Sequence, residues 1–502
     1  MSTELLIRGI FATIISLIVA WKVFFTYDQE IGTESEDTEG TGYSPFISGF
    51  ILPAILLTLV CCTVFKFGVR KAAEMTLSLC FGIFLHISLY YLLLVPLLPL
   101  LRKRITARAC ALLWMIPNYL YFTLQAGMQV SEPLWVIHAP GKVVWVLFYI
   151  WLAGFMLVMG YQIVTHLAFR SRLLRSAEAV TDSAVLELWQ QELARVGIRS
   201  KRMKLVTSAE TATPLSIGLF RFTTRVVLPC HSYESEELTL ILRHEIVHIS
   251  REDAWSKFFL IFCTAICWFN PLMWISKRKC ADALELSCDE TVLLKADEAT
   301  RRKYASLILN TAGNERGFTT CLSASATALR YRLKNIMKPQ KQASGALVML
   351  VVVFVLFMSC GYVALAYDST TGAVVLYPYI DTDTCTLKQI ALKTEADEFV
   401  QDENSTIPLV CSDPAAFQQY LTQLQLDTIT GNFSGYSKGN QLRLTYLTPD
   451  NGLVHIVLSD SFLKIEGAYL KYYETSYYYL SDGLDWKYLD TLLIPQSYNE
   501  AP

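Results

Sequence analysis

The sequence predicts a multi-span α-helical membrane protein with a mostly α-helical domain in its middle and a small α+β or mostly β domain at its C-terminus. Of its 502 residues, 53% are hydrophobic, which is more than soluble domains usually contain. Several apolar runs are long enough to cross a bilayer. Residues 170–340 have an ordinary soluble composition, and residues 368–502 are rich in tyrosine and alternate between apolar and polar side chains.

The apolar runs are the candidate membrane spans, and they comprise residues 5–25, 46–65, 75–101, 109–128, 143–167 and 346–366. Residues 1–71 would form an additional N-terminal membrane hairpin around an acidic loop at 28–42. Residues 72–169 would supply the helices of the membrane core, and residues 345–367 the last helix. A further apolar run at 258–275 contains Asn270-Pro271 and is flanked by basic residues. We expect it to be buried or interfacial, with a true crossing as the alternative.

Basic residues indicate which side of the membrane each domain faces. Arg170, Arg172 and Arg175 follow the fifth run, and three lysines at 334–341 precede the last one. Because basic residues accumulate on the cytoplasmic side, residues 170–340 are expected in the cytoplasm and residues 368–502 outside the cell. The basic clusters on either side of the third run cannot both be cytoplasmic, so the orientation of the first 71 residues stays open.

Two features describe the C-terminal domain. Alternating apolar residues at 442–446 and 454–458 flank Pro-Asp-Asn-Gly at 449–452, which predicts a β-hairpin. Cys385 and Cys411 are the only cysteines in this segment, so they form a candidate disulfide if it is exported.

The sharpest motif is His244-Glu245-Ile246-Val247-His248, within a run of helical periodicity. Residues four apart lie on one helix face, so both imidazoles can reach a single Zn²⁺ ion. Glu245 can then take a proton from water beside the metal, as zinc peptidases of this motif require. The sequence therefore predicts a zinc metalloendopeptidase with Glu245 as the catalytic residue.

A third protein ligand is expected in a second charged helix, 282–290. Asp282, Glu285 and Asp289 share a helix face by their spacing, and Glu285 is the predicted ligand, with Asp282 and Asp289 available to orient other ligands. Cys288 is the alternative, because thiolate also binds zinc well. Asp253, five residues beyond His248, is a further candidate for contact with a ligand imidazole.

At these residues the chain resembles the BlaR/MecR-type membrane metallopeptidases, the antirepressor sensor-transducers of bacteria. The resemblance extends from about residue 75 to 339, and its motifs are 102–117, 214–220, 226–229, the HExxH with Arg251 and Asp253, 268–274, 285–289 and 330–337. It implies that His244, His248 and Glu285 bind zinc, that Glu245 is catalytic and that the peptidase faces the cytoplasm. It also implies that the chain signals the removal of a transcriptional repressor.

The chain departs from the best-known members in its extra N-terminal hairpin and in a tail that lacks the complete motif set of a β-lactam-binding domain. The resulting hypothesis is a sensor-transducer that cleaves a cytoplasmic regulator, or itself, in response to an extracytoplasmic signal. A winged-helix repressor is the candidate substrate, the lipid bilayer is the surrounding partner, and the sensed ligand is unknown. With 43 basic against 45 acidic residues, direct nucleic-acid binding is not expected. The alternatives are a non-proteolytic receptor with a structural zinc site and a constitutive quality-control peptidase.

Overall fold

The computed structural model of the protein describes residues 3–32, 51–122, 130, 132–198, 203–220, 222–313, 326–337, 342–380, 385–396, 406–430, 439–449, 452–467 and 474–496. The acidic loop beyond residue 32 and the start of the second apolar run lie outside these residues.

The helices, in chain order, are α1 (Thr3–Gly32), α2 (Ile51–Leu101), α3 (Ala107–Met115), α4 (Gly141–Arg175), α5 (Ser183–Arg195), α6 (Ser235–Ser250), α7 (Asp253–Ile266), α8 (Pro271–Val292), α9 (Glu298–Gly313), α10 (Ala326–Met337), α11 (Ala346–Ser359), α12 (Gly372–Leu376), α13 (Pro414–Gln423) and α14 (Trp486–Leu492). A short 3₁₀ helix, Ile116–Phe122, follows α3.

The strands are β1 (Trp135–His138), β2 (Glu178–Ala179), β3 (Lys204–Ser208), β4 (Leu215–Ile217), β5 (Arg225–Pro229), β6 (Val363–Thr371), β7 (Thr386–Ala396), β8 (Thr406–Cys411), β9 (Gln425–Thr430), β10 (Gly439–Leu447), β11 (Leu453–Leu458), β12 (Phe462–Gly467), β13 (Glu474–Leu480) and β14 (Leu493–Pro495).

Within the described residues, three helical segments are long and apolar enough to cross a membrane: Leu5–Asp28, Cys80–Leu101 and Gly141–Arg175. Pro53–Lys66 and Ala346–Ser359 are shorter apolar helices. Within α2, Gly68 has a φ of 84° and interrupts the helix between Pro53–Lys66 and the longer segment Cys80–Leu101. The structure therefore supports fewer full-length spans than the six apolar runs predict.

Two of the predicted spans are shorter than the sequence indicates. The run at 109–128 is not one continuous α-helix, because α3 gives way to the 3₁₀ segment at residue 116. The run at 346–366 ends as a helix at Ser359, and strand β6 already begins at Val363. The C-terminal domain thus starts inside the segment that the sequence assigned to the last helix.

Helices α1 and α11 lie antiparallel. Arg8, near the start of α1, donates to the carbonyl of Phe357 at 3.0 Å and to that of Cys360. At the other end, the Tyr27 hydroxyl donates to the carbonyl of Gln342 at 3.1 Å. The N-terminal end of α1 therefore lies at the end of the helical bundle that adjoins the C-terminal domain.

The two ends of the third apolar run also lie beside different domains. Gly82, near the start of the Cys80–Leu101 segment, lies beside the backbone of Val363 in β6. At the other end, the Gln342 side chain donates to the carbonyl of Arg102 at 3.2 Å, next to the start of α11. Residues 102–104 are thus on the side of the middle domain, opposite the C-terminal domain.

The apolar run 258–275 forms a helical hairpin from the end of α7 and the start of α8. The Asn270 side chain caps α8 and Pro271 occupies its first turn, which explains why the chain turns there. The tip contacts the middle of two spans: Asn270 Nδ2 donates to Ser88 Oγ at 2.8 Å, and Trp151 Nε1 donates to the Ile266 carbonyl at 2.6 Å. The hairpin therefore packs among the apolar helices, with its tip against the middle of two of them.

The middle domain combines helices α5–α10 with a four-stranded sheet ordered β2-β3-β5-β4. One face of the sheet packs against α5 and α6, and the other packs against Phe169 and Leu173 near the end of α4. Helix α6 is held between this core and a second one that it shares with α8, α9 and α10.

The C-terminal domain is built on a sheet ordered β1-β6-β9-β13-β12-β11-β10-β7-β8-β14, with α12, α13 and α14 covering one face. The predicted hairpin is present: β10 and β11 pair antiparallel, with Leu442 opposite Leu458 and Tyr446 opposite Val454. Strand β1 is the exception, because it comes from the loop before α4 and pairs parallel with β6. The membrane core thus supplies the edge strand of this sheet.

Candidate metal centre

Helix α6 brings the two predicted imidazoles together. Its first turn is closed by a capping box between Glu234 and Glu237, and its apolar residues are buried in the cores on both sides. His244 and His248 therefore share one fixed face, with their Nε2 atoms 3.2 Å apart.

The backbone reverses direction immediately after this helix. Glu252 adopts the left-handed conformation, with φ 56° and ψ 38°, which non-glycine residues rarely occupy. The turn starts α7 at Asp253 and brings its carboxylate back to His248, with Asp253 Oδ2 at 2.6 Å from His248 Nδ1. Both side chains are at least nine-tenths buried.

Helix α8 places Glu285 opposite the two histidines. Its Oε2 atom lies 3.5 Å from His244 Nε2 and 3.5 Å from His248 Nε2. Its other oxygen, Oε1, accepts from Lys257 Nζ at 3.2 Å. One carboxylate oxygen is thus directed at the imidazoles, while the second is held by a lysine from α7.

Cys288 approaches the same histidines from another direction. Its Sγ atom lies 3.3 Å from His244 Nδ1 and 3.3 Å from the His244 carbonyl oxygen. Together, His244, His248 and Cys288 offer ligand atoms that all lie within 4.8 Å of one another. The structure therefore contains two candidate donor sets that share both histidines and differ in the third group.

A hydrogen-bonded chain holds His244 from behind. The Tyr304 hydroxyl donates to Asp289 Oδ1 at 2.8 Å, so its remaining contact, at 2.8 Å, accepts the proton of His244 Nδ1. Arg332 fixes Asp289 with two bonds of 2.7 and 2.8 Å. With Asp253 accepting from His248 Nδ1, this network places a proton on both Nδ1 atoms, so each imidazole in its neutral form presents the Nε2 lone pair toward Glu285.

The charges around the imidazoles perturb their titration. Burial alone lowers the pKa of His244, but the neighbouring Cys288 and Glu285 raise it to about 10. Burial likewise raises the pKa of the Glu285 carboxyl, yet Lys257 and His248 hold it well below its ordinary value. Anionic groups therefore concentrate at this point, which a divalent cation would neutralise.

The other predicted site residues differ in how they relate to the two histidines. Glu245 follows His244 and is buried, with 7% of its surface exposed. Asp289 reaches His244 through Tyr304, whereas Asp282 lies beside Lys279, with 3.9 Å between Oδ2 and Nζ.

Cys385 and Cys411 lie in the C-terminal domain as free thiols that both approach Tyr446. The structure contains no bond between them, so the disulfide stays a prediction.

Three side chains that contact the candidate site were not identified from the sequence. Lys257, Tyr304 and Arg332 come from α7, α9 and α10, and they reach the site only because these helices pack around α6 and α8. The segment 330–337 was noted as a shared motif, which was a signal for Arg332. Nothing in the spacing of Tyr304 indicates its role.

The donor geometry fits a zinc ion. Zinc binds imidazole nitrogen and carboxylate oxygen at about 2.0–2.2 Å with tetrahedral geometry, which separates neighbouring ligand atoms by roughly 3.3–3.6 Å. The two Nε2 atoms and Glu285 Oε2 are 3.2, 3.5 and 3.5 Å apart. These three groups could therefore hold zinc and leave a fourth position open for a reacting group.

Comparison with known proteins places this site in a described family. A family model for the BlaR1 peptidase M56 matches residues 54–336, more than half of the chain. The regulatory protein BlaR1 of Bacillus licheniformis is 24% identical over 187 residues, covering 37% of this chain and 30% of that protein.

The methicillin resistance mecR1 protein of Staphylococcus aureus is 25% identical over 172 residues, covering 34% of this chain and 28% of that protein. The protein of the same description from Staphylococcus epidermidis matches equally. The chain thus spans less than a third of the length of these curated relatives.

Proposed function

Because the chain belongs to the BlaR1 peptidase M56 family, we propose that it is a membrane-embedded zinc endopeptidase that acts as a sensor-transducer. The observation that carries this proposal is the convergence of His244 Nε2, His248 Nε2 and Glu285 Oε2 at 3.2–3.5 Å. Glu245, next to His244 in the sequence and buried, supplies the carboxylate that a hydrolytic site requires and a purely structural metal site does not.

Glu285 is the proposed third ligand in preference to Cys288. The two Nε2 atoms both face Glu285, and the hydrogen bonds of both Nδ1 atoms are consistent with metal binding through Nε2. The Cys288 thiol instead lies against Nδ1 of His244, the nitrogen that Tyr304 already contacts. A site built with Cys288 would use Nδ1 of His244 and would therefore break its contact with Tyr304.

The protein groups have separate tasks in peptide hydrolysis. When bound, zinc supplies a Lewis acid that polarises the scissile carbonyl and increases the acidity of water. Glu245 accepts a proton from the attacking water and returns it to the leaving amine. Asp253 and Tyr304 hold the two imidazoles in the required tautomer, and Lys257 holds Glu285 by its second oxygen.

The proposed membrane placement puts the peptidase domain, residues 170–340, in the cytoplasm and the tail, residues 368–502, outside the cell. Support comes from the basic residues at 102–104 and 170–175, which lie on the side of the peptidase domain. The antiparallel contact of α1 with α11 then puts the N-terminus outside, with residues 1–71 as an added hairpin.

A continuous set of contacts supports coupling between the tail and the site. The tail sheet pairs with β1, and Trp145 on α4 donates to Asp368 of the tail at 3.2 Å. Further along α4, Trp151 contacts the hairpin at Ile266 and accepts from Trp268 Nε1 at 3.1 Å. The two helices of this hairpin carry Asp253 and Glu285, so a shift of α4 would move the groups around the metal.

The substrate proposal rests on the family relationship. Two relatives are described as a regulatory protein and a methicillin resistance protein. By analogy, the chain would cleave itself or a cytoplasmic winged-helix repressor in response to an extracytoplasmic ligand. A non-proteolytic receptor would keep the zinc but not need Glu245, and a constitutive quality-control peptidase would cleave without a signal.

The test is Glu245→Gln in the full-length protein in its native membrane. We expect cleavage of the chain or of a co-expressed repressor to fall by about 10²–10⁴-fold, because glutamine keeps the shape but cannot act as the base. Zinc content should not change. Glu236→Gln is the matched control, since Glu236 is on the same helix but is exposed and bound to Lys303. Equal cleavage by wild type and Glu245→Gln would favour the non-proteolytic receptor.

A further inference from the structure

The turn between β4 and β5 exposes two aromatic rings on the peptidase domain. Phe220 is 44% exposed and Phe222 is 56% exposed. The rings stack on each other, with centroids 5.4 Å apart and planes inclined by 16°. Neither residue belongs to the metal centre, and exposing two adjacent phenylalanines to water is unfavourable unless another surface covers them.

Hydrogen bonds and a glycine fix the described residues on either side of this turn. The backbone N–H of Thr223 donates to the Phe220 carbonyl at 2.8 Å, and the Thr224 hydroxyl donates to the same oxygen at 2.9 Å. Gly218 has a φ of 128°, and a Cβ there would lie 2.6 Å from the Thr223 carbonyl oxygen. The backbone conformation therefore requires glycine and holds the aromatic pair in a fixed position.

Two anchors place the turn beside the elements that enter the membrane core. Arg170 Nη2 on α4 donates to the Thr223 carbonyl at 3.2 Å. The Phe220 ring contacts Trp255 edge-on at a centroid distance of 5.2 Å, and Trp255 is in the first turn of α7, which leads into the buried hairpin. The turn is thus attached to both elements near the level at which their apolar segments begin.

The depth of this position follows from helix geometry. The apolar stretch of α4 ends at Leu167, and Arg170 is three residues further on, which corresponds to roughly 4–5 Å along the helix. Residues at this level lie among lipid headgroups, where aromatic rings are favoured and arginines pair with anionic lipids. Arg225, which donates to the Phe222 carbonyl at 3.3 Å, adds a second cation beside the rings.

We propose that Phe220 and Phe222 insert into the cytoplasmic interface of the bilayer and attach the peptidase domain to the membrane surface. The occupant of this aromatic surface is lipid, because the turn is bound to α4 at Arg170, three residues beyond its apolar stretch, and is flanked by arginines. Such an anchor would fix β4 and the adjoining metal centre at a constant height above the membrane. The inference rests on the proposed membrane placement of α4.

The experiment is photocrosslinking in proteoliposomes of phosphatidylethanolamine and phosphatidylglycerol, with p-benzoylphenylalanine replacing one residue at a time in the full-length protein. The test positions are Phe222 and, as a second probe, Phe220. Leu157, 73% exposed on α4, tests the membrane placement itself. Leu294 is the negative control, since it is exposed beyond the far end of α8, about 33 Å from the hairpin tip along a 22-residue helix.

We expect lipid adducts by mass spectrometry at Leu157 and at Phe222 or Phe220, and none at Leu294, in samples with normal zinc content. Adducts at Leu157 but at neither phenylalanine would overturn the inference while leaving the membrane placement intact. Crosslinking of both phenylalanines to a second copy of the protein instead of lipid would also overturn it, and would make the turn an interface between copies of this chain. Absence of adducts at Leu157 would overturn the membrane placement of α4 and the inference with it.

Discussion

The contact between Asp253 and His248 allows a quantitative test of the metal centre. The two atoms, Oδ2 and Nδ1, are 2.6 Å apart in a buried environment. Burial alone raises the pKa of Asp253, but its hydrogen bond to His248 holds the pKa below the ordinary value, so the group is a carboxylate that accepts the Nδ1 proton. Asp253→Asn keeps the volume but removes the charge.

The expected effect is a weaker zinc site. Loss of a partner that orients a ligand histidine typically reduces metal affinity about 10–100-fold, which corresponds to roughly 1.4–2.7 kcal/mol. The asparagine amide can also donate to Nδ1, and that would move the ring proton to Nε2, the atom that faces Glu285. The imidazole would then lose its donor lone pair at the site.

The assay is competition for zinc between the detergent-solubilised protein and a chelator of known affinity. Asp282→Asn is the matched control, because Asp282 is on α8, one turn from Glu285, but its ion-pair partner is Lys279. We expect it to bind zinc like the wild type. An unchanged zinc affinity in Asp253→Asn would refute the role of this carboxylate, and equal losses in both variants would reduce it to a general effect of negative charge.

Two further perturbations test packing and topology. Gly154→Ala should lower the stability of the membrane core by about 1–3 kcal/mol, because the added Cβ would lie 2.1 Å from Trp268. Gly160→Ala on the same helix is the control, since its added Cβ meets nothing within 4 Å. Thermal unfolding in detergent should give a lower melting temperature for Gly154→Ala, and equal melting temperatures would contradict the packing of α4 on the hairpin. Cys385 and Cys411 should resist thiol labelling of intact cells until a reductant is added, since an exported pair of cysteines is expected to oxidise to a disulfide. Labelling of both cysteines without reductant would reject the disulfide or the export of the tail.

Helix α4 contacts each part of the protein that these variants perturb. This helix touches the tail at Trp145, the hairpin at Trp151 and the peptidase sheet at Phe169. A helix that contacts all three parts can transmit a displacement only if its packing is rigid. The tight fit of Gly154 against Trp268 supplies that rigidity at its centre.

Local patterns in the sequence were sufficient to predict several features of the structure. The spacing of His244 and His248 requires a shared helix face, and their Nε2 atoms are 3.2 Å apart. The β10–β11 hairpin follows from alternation around a turn signal, and its register agrees with that alternation. The family resemblance, derived from short motifs, is confirmed by the match of the family model to residues 54–336.

Hydrophobicity alone could not decide what the apolar runs become. Residues 364–366 are apolar and buried, and they belong to strand β6 although the sequence predicts a membrane helix there. The periodicity of a short apolar run does not distinguish a helix from a strand. The run at 258–275 is similarly ambiguous between a crossing and a hairpin. Its contacts with Ser88 and Trp151 show that it turns back as a hairpin, and both partners are distant in sequence.

The sequence by itself determined which candidate donors are available: two histidines and a carboxylate on one helix, and a second helix that carries Glu285 and Cys288. Only the tertiary structure decided which groups surround them, because Lys257, Tyr304 and Arg332 reach the site from three separate helices. The same holds for β1, whose parallel pairing with β6 joins segments far apart in the chain. Such contacts depend on how whole elements pack, and no local spacing of residues encodes that arrangement.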